Sequence, residues 1–127
     1  MRPINALIVD DSAVMRKIVE RSLRQAGLAL GRVFEAGDGW EALALIEQHA
    51  VDLILCDINM PAMNGLEFLR MLQSMENAKT AAVVMITTEG SEACVSEAIS
   101  CGARAYIRKP FTPAQIREQV TAVVSLA

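Results

Sequence analysis

Residues that build disulfide scaffolds and zinc sites are scarce in this sequence. Its 127 residues include three cysteines and one histidine, His49. An odd number of cysteines cannot form a complete disulfide framework, and Cys94 and Cys101, on one predicted helix, would lie about 10 Å apart along its axis. A single histidine does not make a zinc ligand set, and we expect His49 to be a solvated residue near a helix end. Disulfide-stapled folds and zinc modules are therefore excluded.

Long apolar runs and basic tracts are missing too. No apolar run approaches the roughly 20 residues of a membrane span, and the first residues do not read as a signal peptide. The net charge is −3 and there is no tract of five or more Lys or Arg, so neither nucleic acid nor membrane is expected as a direct partner. Hydrophobic residues make up 53% of the sequence, and we expect one cytoplasmic domain over residues 1–127.

What the sequence does contain is a fivefold alternation of apolar, strand-like runs with amphipathic helical segments. This alternation predicts parallel strands, right-handed crossovers and helices on both faces of the sheet. The expected fold class is α/β: a flavodoxin-like, doubly wound (βα)5 domain with five parallel strands in the order 2-1-3-4-5. The predicted strands are 4–9, 32–36, 53–56, 82–87 and 104–108, and the predicted helices begin near Ser12, Asp38, Asn64, Ser91 and Thr112.

Polar side chains stand where four of the five predicted strands end. The carboxyl ends of parallel strands share one edge of a sheet, where open α/β sheets bind their ligands. We therefore expect these side chains to converge in one crevice. They are Asp10 and Asp11 after the first strand, Asp57 after the third, Thr87 and Thr88 at the fourth, and Lys109 after the fifth.

Three carboxylates in one crevice repel each other unless a positive charge lies among them. Mg²⁺ would relieve the repulsion because it prefers oxygen ligands, while a lysine and a threonine hydroxyl can hold phosphoryl oxygens. Since aspartate carboxylates can form aspartyl-phosphates, the set favours metal-assisted phosphoryl transfer. The alternative is structural: Lys109 forms a salt bridge with one aspartate, and the threonines cap turns.

Short motifs surround these polar residues. They are Leu-Ile-Val-Asp-Asp-Ser at 7–12, Asp-Ile-Asn-Met-Pro-Ala-Met-Asn-Gly at 57–65, Ile-Thr at 86–87, Gly-Ala at 102–103 and Tyr-Ile-Arg-Lys-Pro-Phe at 106–111. Together they resemble the receiver domain of response regulators, and most closely its single-domain chemotaxis (CheY-like) type. The resemblance extends over essentially the whole chain, and it implies a cis peptide bond at Lys109–Pro110.

The resemblance also implies roles for the residues of the crevice. Asp57 would be the phosphoacceptor, which takes its phosphoryl group from a histidine kinase. Asp11 and Asp57 would bind Mg²⁺ directly together with the backbone carbonyl of Asn59, and Asp10 would act through water. Lys109 would pair with a phosphoryl oxygen.

A second group of residues would transmit and time the signal. Thr87 would move inward to hydrogen-bond the phosphoryl group, and Tyr106 would be the aromatic switch, outward when inactive and buried once Thr87 moves. From the residues alone, Tyr106 is equally well a half-buried aromatic on an edge strand. Asn59, Thr88 and Glu89 occupy positions that tune the phosphoryl lifetime; Thr88 stands where the family prefers a smaller residue. We expect hydrolysis within seconds to minutes.

The function so implied is a phosphorylation-activated switch of a two-component system that signals by protein contact in chemotaxis. It is not an enzyme on other substrates, since it catalyses only its own phosphorylation and dephosphorylation. The implied partners of this monomer are a sensor histidine kinase, a downstream target such as the flagellar motor switch, and a phosphatase.

Three alternatives remain open at this point. The chain could be a receiver excised from a multidomain, for example transcriptional, regulator. A Mg-dependent aspartyl-phosphate phosphatase would need a second aspartate where Asn59 stands. A flavodoxin-like cofactor binder would need a phosphate loop where Asp10, Asp11 and Ser12 stand, and the aspartates would repel phosphate.

Overall fold

Five strands alternate with five helices in the part of the chain that the computed structural model describes, which is residues 3–60, 62–76, 81–88 and 91–124. Glu89, expected to tune the phosphoryl lifetime, lies outside the described residues. In chain order the elements are β1 (Ile4–Val9), α1 (Ala13–Gln25), β2 (Leu30–Ala36), α2 (Gly39–Gln48), β3 (Leu53–Cys56), α3 (Gly65–Gln73), β4 (Ala82–Thr87), α4 (Glu92–Ser100), β5 (Ala105–Arg108) and α5 (Pro113–Val124). Among these described helices, none is long and apolar enough to cross a membrane.

The strands form one parallel sheet in the order β2-β1-β3-β4-β5, which confirms the predicted fold class. Val9 pairs with Ala36 on one side and with Cys56 on the other, and Cys56 pairs with Met85. Neighbouring strands therefore end nearly level with each other. Asp57 continues this alignment, because its N–H donates to the carbonyl of Val9 at 3.0 Å. The residues that follow β1 and β3 consequently leave the sheet side by side.

Different helices bury the two faces of the sheet. Leu7 and Val9 lie in a core completed by α2, α3 and α4, whereas Ala6 and Ile8 lie in a core completed by α1 and α5. Successive side chains of a strand point to opposite faces, so a strand covered on both sides is apolar at every position. β3 and β4 are buried throughout, which accounts for their unbroken apolar runs.

Polar caps fix the starts of the helices at the edge where the strands end. Each predicted cap accepts the N–H three residues on, so the predicted helix starts are confirmed. At Asn64 the bond is reciprocal, since Glu67 accepts the N–H of Asn64. Thr112 and Gln115 form the same reciprocal pair at α5.

The structure differs from the sequence expectation at two strand starts and at the histidine. β2 begins at Leu30, two residues early, because Leu30 pairs with Ile4 ahead of an irregularity in the ladder. β5 begins one residue late, at Ala105. His49 caps the C-terminus of α2 and its ring stacks on Phe34, with ring centroids 4.5 Å apart, so it is half-buried rather than solvated.

Helix α4 is attached to the fold by few apolar contacts. Ala98 is its one buried residue. Polar contacts from α3 supplement this small core: Arg70 forms an ion pair with Glu97 at 2.7 Å, and the side-chain amide of Gln73 donates to the carbonyl of Cys101. These polar contacts join α3 to the C-terminal end of α4.

Candidate functional site

The three aspartates predicted to converge do so. Asp10, Asp11 and Asp57 each present a carboxylate oxygen, and these oxygens all lie within 4.8 Å of one another. Asp10 and Asp57 are buried, whereas Asp11 is exposed. Their convergence follows from the pairing of β1 with β3, because Asp10 and Asp11 directly follow β1 and Asp57 directly follows β3.

Lys109 lies between the two buried carboxylates. Its Nζ is 3.0 Å from Oδ2 of Asp10 and 3.1 Å from Oδ2 of Asp57, and its side chain is only 13% exposed. Burial acts to lower the pKa of the Lys109 ammonium, but the hydrogen bonds and charges of Asp57 and Asp10 outweigh it, so the pKa is raised. Lys109 is therefore charged at neutral pH. The Lys109–Pro110 peptide bond is cis, as the resemblance implies.

Backbone N–H groups orient the same two carboxylates from the other side. Oδ1 of Asp10 accepts the N–H of Ser12 at 2.9 Å, and Oδ1 of Asp57 accepts the N–H of Asn59 at 3.2 Å. Each aspartate thus closes a turn on the residue two positions ahead. With one oxygen bound to an N–H and the other to Lys109, both carboxylates have a fixed direction.

The threonines and the tyrosine lie on the neighbouring strands. Thr87 is fully buried at the end of β4, and its carbonyl accepts the N–H of Lys109 at 2.9 Å. Thr88 and Asn59 are exposed. Tyr106, on β5, is half-buried against the α2–α4 side of the core, and its hydroxyl oxygen is buried.

Cys56, the last residue of β3, is adjacent to the site but is not a nucleophile. It is fully buried, and its thiol donates to the carbonyl of Asp57 at 3.2 Å. Burial, followed by the charges of Asp57 and Asp10, raises the pKa of this thiol well above its usual value. Because the thiolate is the reactive form, Cys56 acts as a small apolar side chain.

Sequence reasoning missed one group of contacts beside the site. The amphipathic pattern of α1 alone would leave the charged Arg16 on the solvent face of the helix. In the structure, the guanidinium of Arg16 is largely buried and donates to the backbone carbonyl of Asp10 at 2.6 Å and to Glu35 at 2.9 Å. The sequence supplies only the positions of these residues: Arg16 is the fifth residue after the Asp-Asp pair, and Glu35 lies one residue before the end of β2.

The donor set suits a small divalent cation. Three carboxylate oxygens at these separations are the hard ligands that Mg²⁺ prefers, and the exposure of Asp11 leaves one side open to water, which Mg²⁺ tends to keep. Among the described residues, one ammonium, that of Lys109, forms ion pairs with two of these three carboxylates, so negative charge remains to attract the cation. The residues present therefore fit magnesium.

Comparison with known proteins decides the family. The model of the response regulator receiver domain matches residues 6–121. The chain belongs to this family. Chemotaxis protein CheY1 of Helicobacter pylori is 39% identical to this receiver over 119 residues, which cover 93% of the chain and 94% of that protein.

Solved structures of receiver domains agree with this assignment. Vibrio cholerae chemotaxis protein CheY4 superposes on this receiver with a TM-score of 0.86 and 34% identity, over 96% of this chain and 99% of that one. A two-component response regulator/GGDEF domain protein superposes with a TM-score of 0.85 and 31% identity, over 97% of this chain but only 50% of that one. The chain is thus a CheY-like receiver, and it works by phosphorylation-dependent signalling.

Proposed function

We propose that this receiver accepts a phosphoryl group from a sensor histidine kinase on Asp57, with Mg²⁺, and signals by protein contact in chemotaxis. The observation that carries the proposal is the position of Lys109, which bridges Asp57 and Asp10 while Asp11 lies beside them. A structural salt bridge needs one aspartate. The crowding of three, two of them buried, is costly and calls for a cation-dependent use.

The chemistry is a transfer between two nucleophiles. A carboxylate oxygen of Asp57 attacks the phosphorus of a phosphohistidine, the P–N bond breaks, and the imidazole nitrogen leaves with the electron pair. The product is an acyl phosphate on Asp57. Lys109, already within hydrogen-bond distance of this carboxylate, neutralises charge on the transferred group. Water later hydrolyses the acyl phosphate, so the chain catalyses only its own phosphorylation cycle and has no other substrate.

Magnesium would be held by Asp11, Asp57 and the backbone carbonyl of Asn59, with Asp10 acting through water. When bound, it would supply positive charge to the phosphoryl oxygens during the transfer. The chain itself supplies the direction of the ligands: Ser12 and Asn59 N–H groups fix the two buried carboxylates. Asn59 and Thr88 are exposed to solvent, and these two residues, with Glu89, would set a phosphoryl lifetime of seconds to minutes.

Phosphorylation would then shift an existing equilibrium between two conformations. Thr87 is buried at the end of β4, and its carbonyl accepts the backbone N–H of Lys109. This link to the residue that binds Asp57 supports a role for Thr87 in responding to a phosphoryl group there. Tyr106 of β5 pairs with Met85 of β4, the strand that ends at Thr87. A movement of Thr87 would therefore reach the Tyr106 ring through adjacent backbone. The proposed readers of this change are a downstream target such as the flagellar motor switch and a phosphatase, each binding a monomer.

Asp57→Asn tests the proposal because it removes the nucleophile and keeps the shape. Purified parent and variant are incubated with radiolabelled acetyl phosphate and Mg²⁺, and incorporated phosphate is counted. We expect near-stoichiometric labelling of the parent and none of the variant. Asp38→Asn is the matched control, since an amide oxygen caps α2 equally well and Asp38 is outside the crevice. Stoichiometric labelling of Asp57→Asn would show that another residue accepts the phosphoryl group.

One comparison favours a second candidate function, in which this receiver is one domain of a larger, multidomain regulator. The response regulator/GGDEF domain protein is twice as long as the region matched here, which shows this type of receiver joined to another domain. A pull-down with and without beryllofluoride, which mimics the aspartyl-phosphate, separates the two candidate functions. Beryllofluoride-dependent capture of a flagellar switch component supports the chemotaxis assignment. Beryllofluoride-dependent capture of a different partner, with no flagellar component, supports a receiver that belongs to a multidomain regulator.

A further inference from the structure

Arg16 connects the acidic crevice to the edge strand of the sheet. It lies in α1, and its side chain is 18% exposed although it carries a full charge. Nη1 donates to the backbone carbonyl of Asp10 at 2.6 Å, and Nε donates to Glu35 of β2 at 2.9 Å. The second carboxylate oxygen of Glu35 accepts Lys17 at 2.7 Å. Glu35 therefore holds the guanidinium in one orientation, and Lys17 holds Glu35.

The carbonyl that Arg16 binds belongs to the peptide group between Asp10 and Asp11. A peptide group is planar, so fixing the direction of its C=O also fixes the direction in which the next residue leaves. The rest of Asp10 is fixed already: its N–H donates to Ala36, and its carboxylate accepts Ser12 and Lys109. The remaining freedom at this corner is rotation of the peptide that leads to Asp11, the exposed carboxylate of the three.

An arginine suits this connection better than a lysine does. Its planar fork presents several N–H groups on different nitrogens at fixed angles, so it can bind a carbonyl and a carboxylate through separate nitrogens, whereas an ammonium must reach both acceptors from one nitrogen. Simple electrostatics would argue against a guanidinium here, because a positive charge beside the crevice opposes a metal cation. Its presence therefore indicates that its hydrogen bonds matter more to the site than its charge.

We propose that Arg16, held by Glu35, is a positioning residue that sets the direction of Asp11 and thereby the affinity of the crevice for a divalent cation. The inference rests on the proposed function, since it assumes that the three aspartates bind magnesium. Groups that orient metal ligands typically change metal affinity by about 10-fold or more when they are removed.

The test is titration of metal-free protein with MgCl2 by calorimetry, for the parent, Arg16→Gln, Arg16→Lys and Arg24→Gln. Arg24 is the matched control because it is on the same helix and also pairs with a glutamate, Glu20, away from the crevice. We expect both Arg16 variants to bind Mg²⁺ about tenfold more weakly and Arg24→Gln to bind like the parent. Arg16→Lys keeps the charge, so its loss must come from the hydrogen-bond geometry.

The sign of the change separates positioning from charge. If the charge of Arg16 were what mattered, Arg16→Gln would bind Mg²⁺ more tightly than the parent; equal or tighter binding overturns the inference. Equal weakening in Arg24→Gln would overturn it too. Thermal unfolding of each metal-free variant confirms that it is folded. If Arg16→Gln does not fold, the Mg²⁺ affinity of Arg16→Lys alone tests the inference. A parent that binds no Mg²⁺ removes the proposed function itself, whereas a binding parent with unaffected Arg16 variants removes only this inference.

Discussion

The α carbon of Gly65 lies against the backbone carbonyl of Asp57: a Cβ added to Gly65 would come 2.5 Å from that oxygen. The same Cβ would be 2.8 Å from the α carbon of Ile58, whose carbonyl accepts the N–H of Gly65 at 2.8 Å. The start of α3 is therefore packed directly on the backbone that carries the proposed phosphoacceptor. Both contacts are with backbone, so no side chain can move aside to relieve a clash.

Gly65→Ala should consequently disturb both stability and phosphorylation. Overpacking of this kind costs about 1–3 kcal/mol in unfolding free energy, and the displaced Asp57 carbonyl should slow labelling by acetyl phosphate. Urea denaturation and labelling rates measure the two effects. Gly37→Ala is the control, since its Cβ would meet only the flexible ends of Glu41 and Arg16. A Gly65→Ala protein as stable and as readily labelled as the parent would contradict the packing argument.

Removal of the ammonium at position 109 should expose the repulsion between the aspartates. In Lys109→Ala, Asp10 and Asp57 lose their shared counter-charge while they stay buried. We expect a loss of about 3 kcal/mol of unfolding free energy in EDTA, and a smaller loss when Mg²⁺ is added, because the cation replaces the missing charge. Urea denaturation with and without Mg²⁺ measures this.

The solvent-exposed Lys17 provides the control for that experiment. Its ion pair with Glu35 is short, but the side chain is 68% exposed, so Lys17→Ala should cost far less than Lys109→Ala and should not respond to Mg²⁺. We further expect phosphorylated Lys109→Ala not to gain affinity for a target protein. Equal phosphate-dependent affinity in variant and parent would exclude a coupling role for Lys109.

Glu35 should make stability depend on pH in the acid range. Its pKa is lowered by the hydrogen bond from Lys17, against the opposing effect of burial, and further by Arg16. A carboxyl whose pKa is lower in the folded state stabilises the protein above its unfolded pKa of about 4.3, and this contribution is lost as the pH falls through the folded pKa. The difference in unfolding free energy between the parent and Glu35→Gln should therefore be largest near pH 7 and shrink below pH 4 or so.

Urea denaturation of both proteins across that range is the measurement. A parent-to-variant difference that stays constant down to acid pH would mean that the Glu35 carboxylate gains nothing from its two cationic neighbours. The Arg24→Gln variant again serves as a control, because it breaks an ion pair on α1 without touching Glu35.

Ala62 has a backbone φ of 66°, in the left-handed region that suits glycine rather than alanine. Ala62→Gly should remove this strain, and after allowance for the greater freedom of glycine in the unfolded chain we expect a gain of about 0.5 kcal/mol in unfolding free energy. Ala44→Gly, at an exposed position inside α2, should lose about 1 kcal/mol. A loss at position 62 as large as that at position 44 would show that φ is not what limits stability there.

Much of this architecture could be predicted from sequence because it depends on local patterns. Apolar runs predict the strands, and capping pairs such as Asn64 with Glu67 predict the helix starts. The proximity of Asp10 to Asp57 follows from the parallel pairing of the strands that precede them. What the sequence does not show is the choice among partners for a long polar side chain. Arg16 reaches Glu35, 19 residues away, and a helical pattern records only that Arg16 is charged.

Two further details depend on three-dimensional contacts without a periodic signal. The early start of β2 reflects one pairing, Leu30 with Ile4, ahead of an irregular ladder. The stacking of His49 on Phe34 depends on how closely the end of α2 approaches the edge strand. In both cases the sequence restricts the residue type, while the neighbouring element decides what that residue does.

Helix α4 has the smallest share in the core, with Ala98 as its single buried residue and two polar contacts to α3. A displacement of this helix would uncover little hydrocarbon and would leave the five strands and the aspartates undistorted. Among the five helices that the structure describes, α4 is therefore the one that packing holds least. Amide protons of α4 should accordingly exchange with deuterium well before those of β3 or β4.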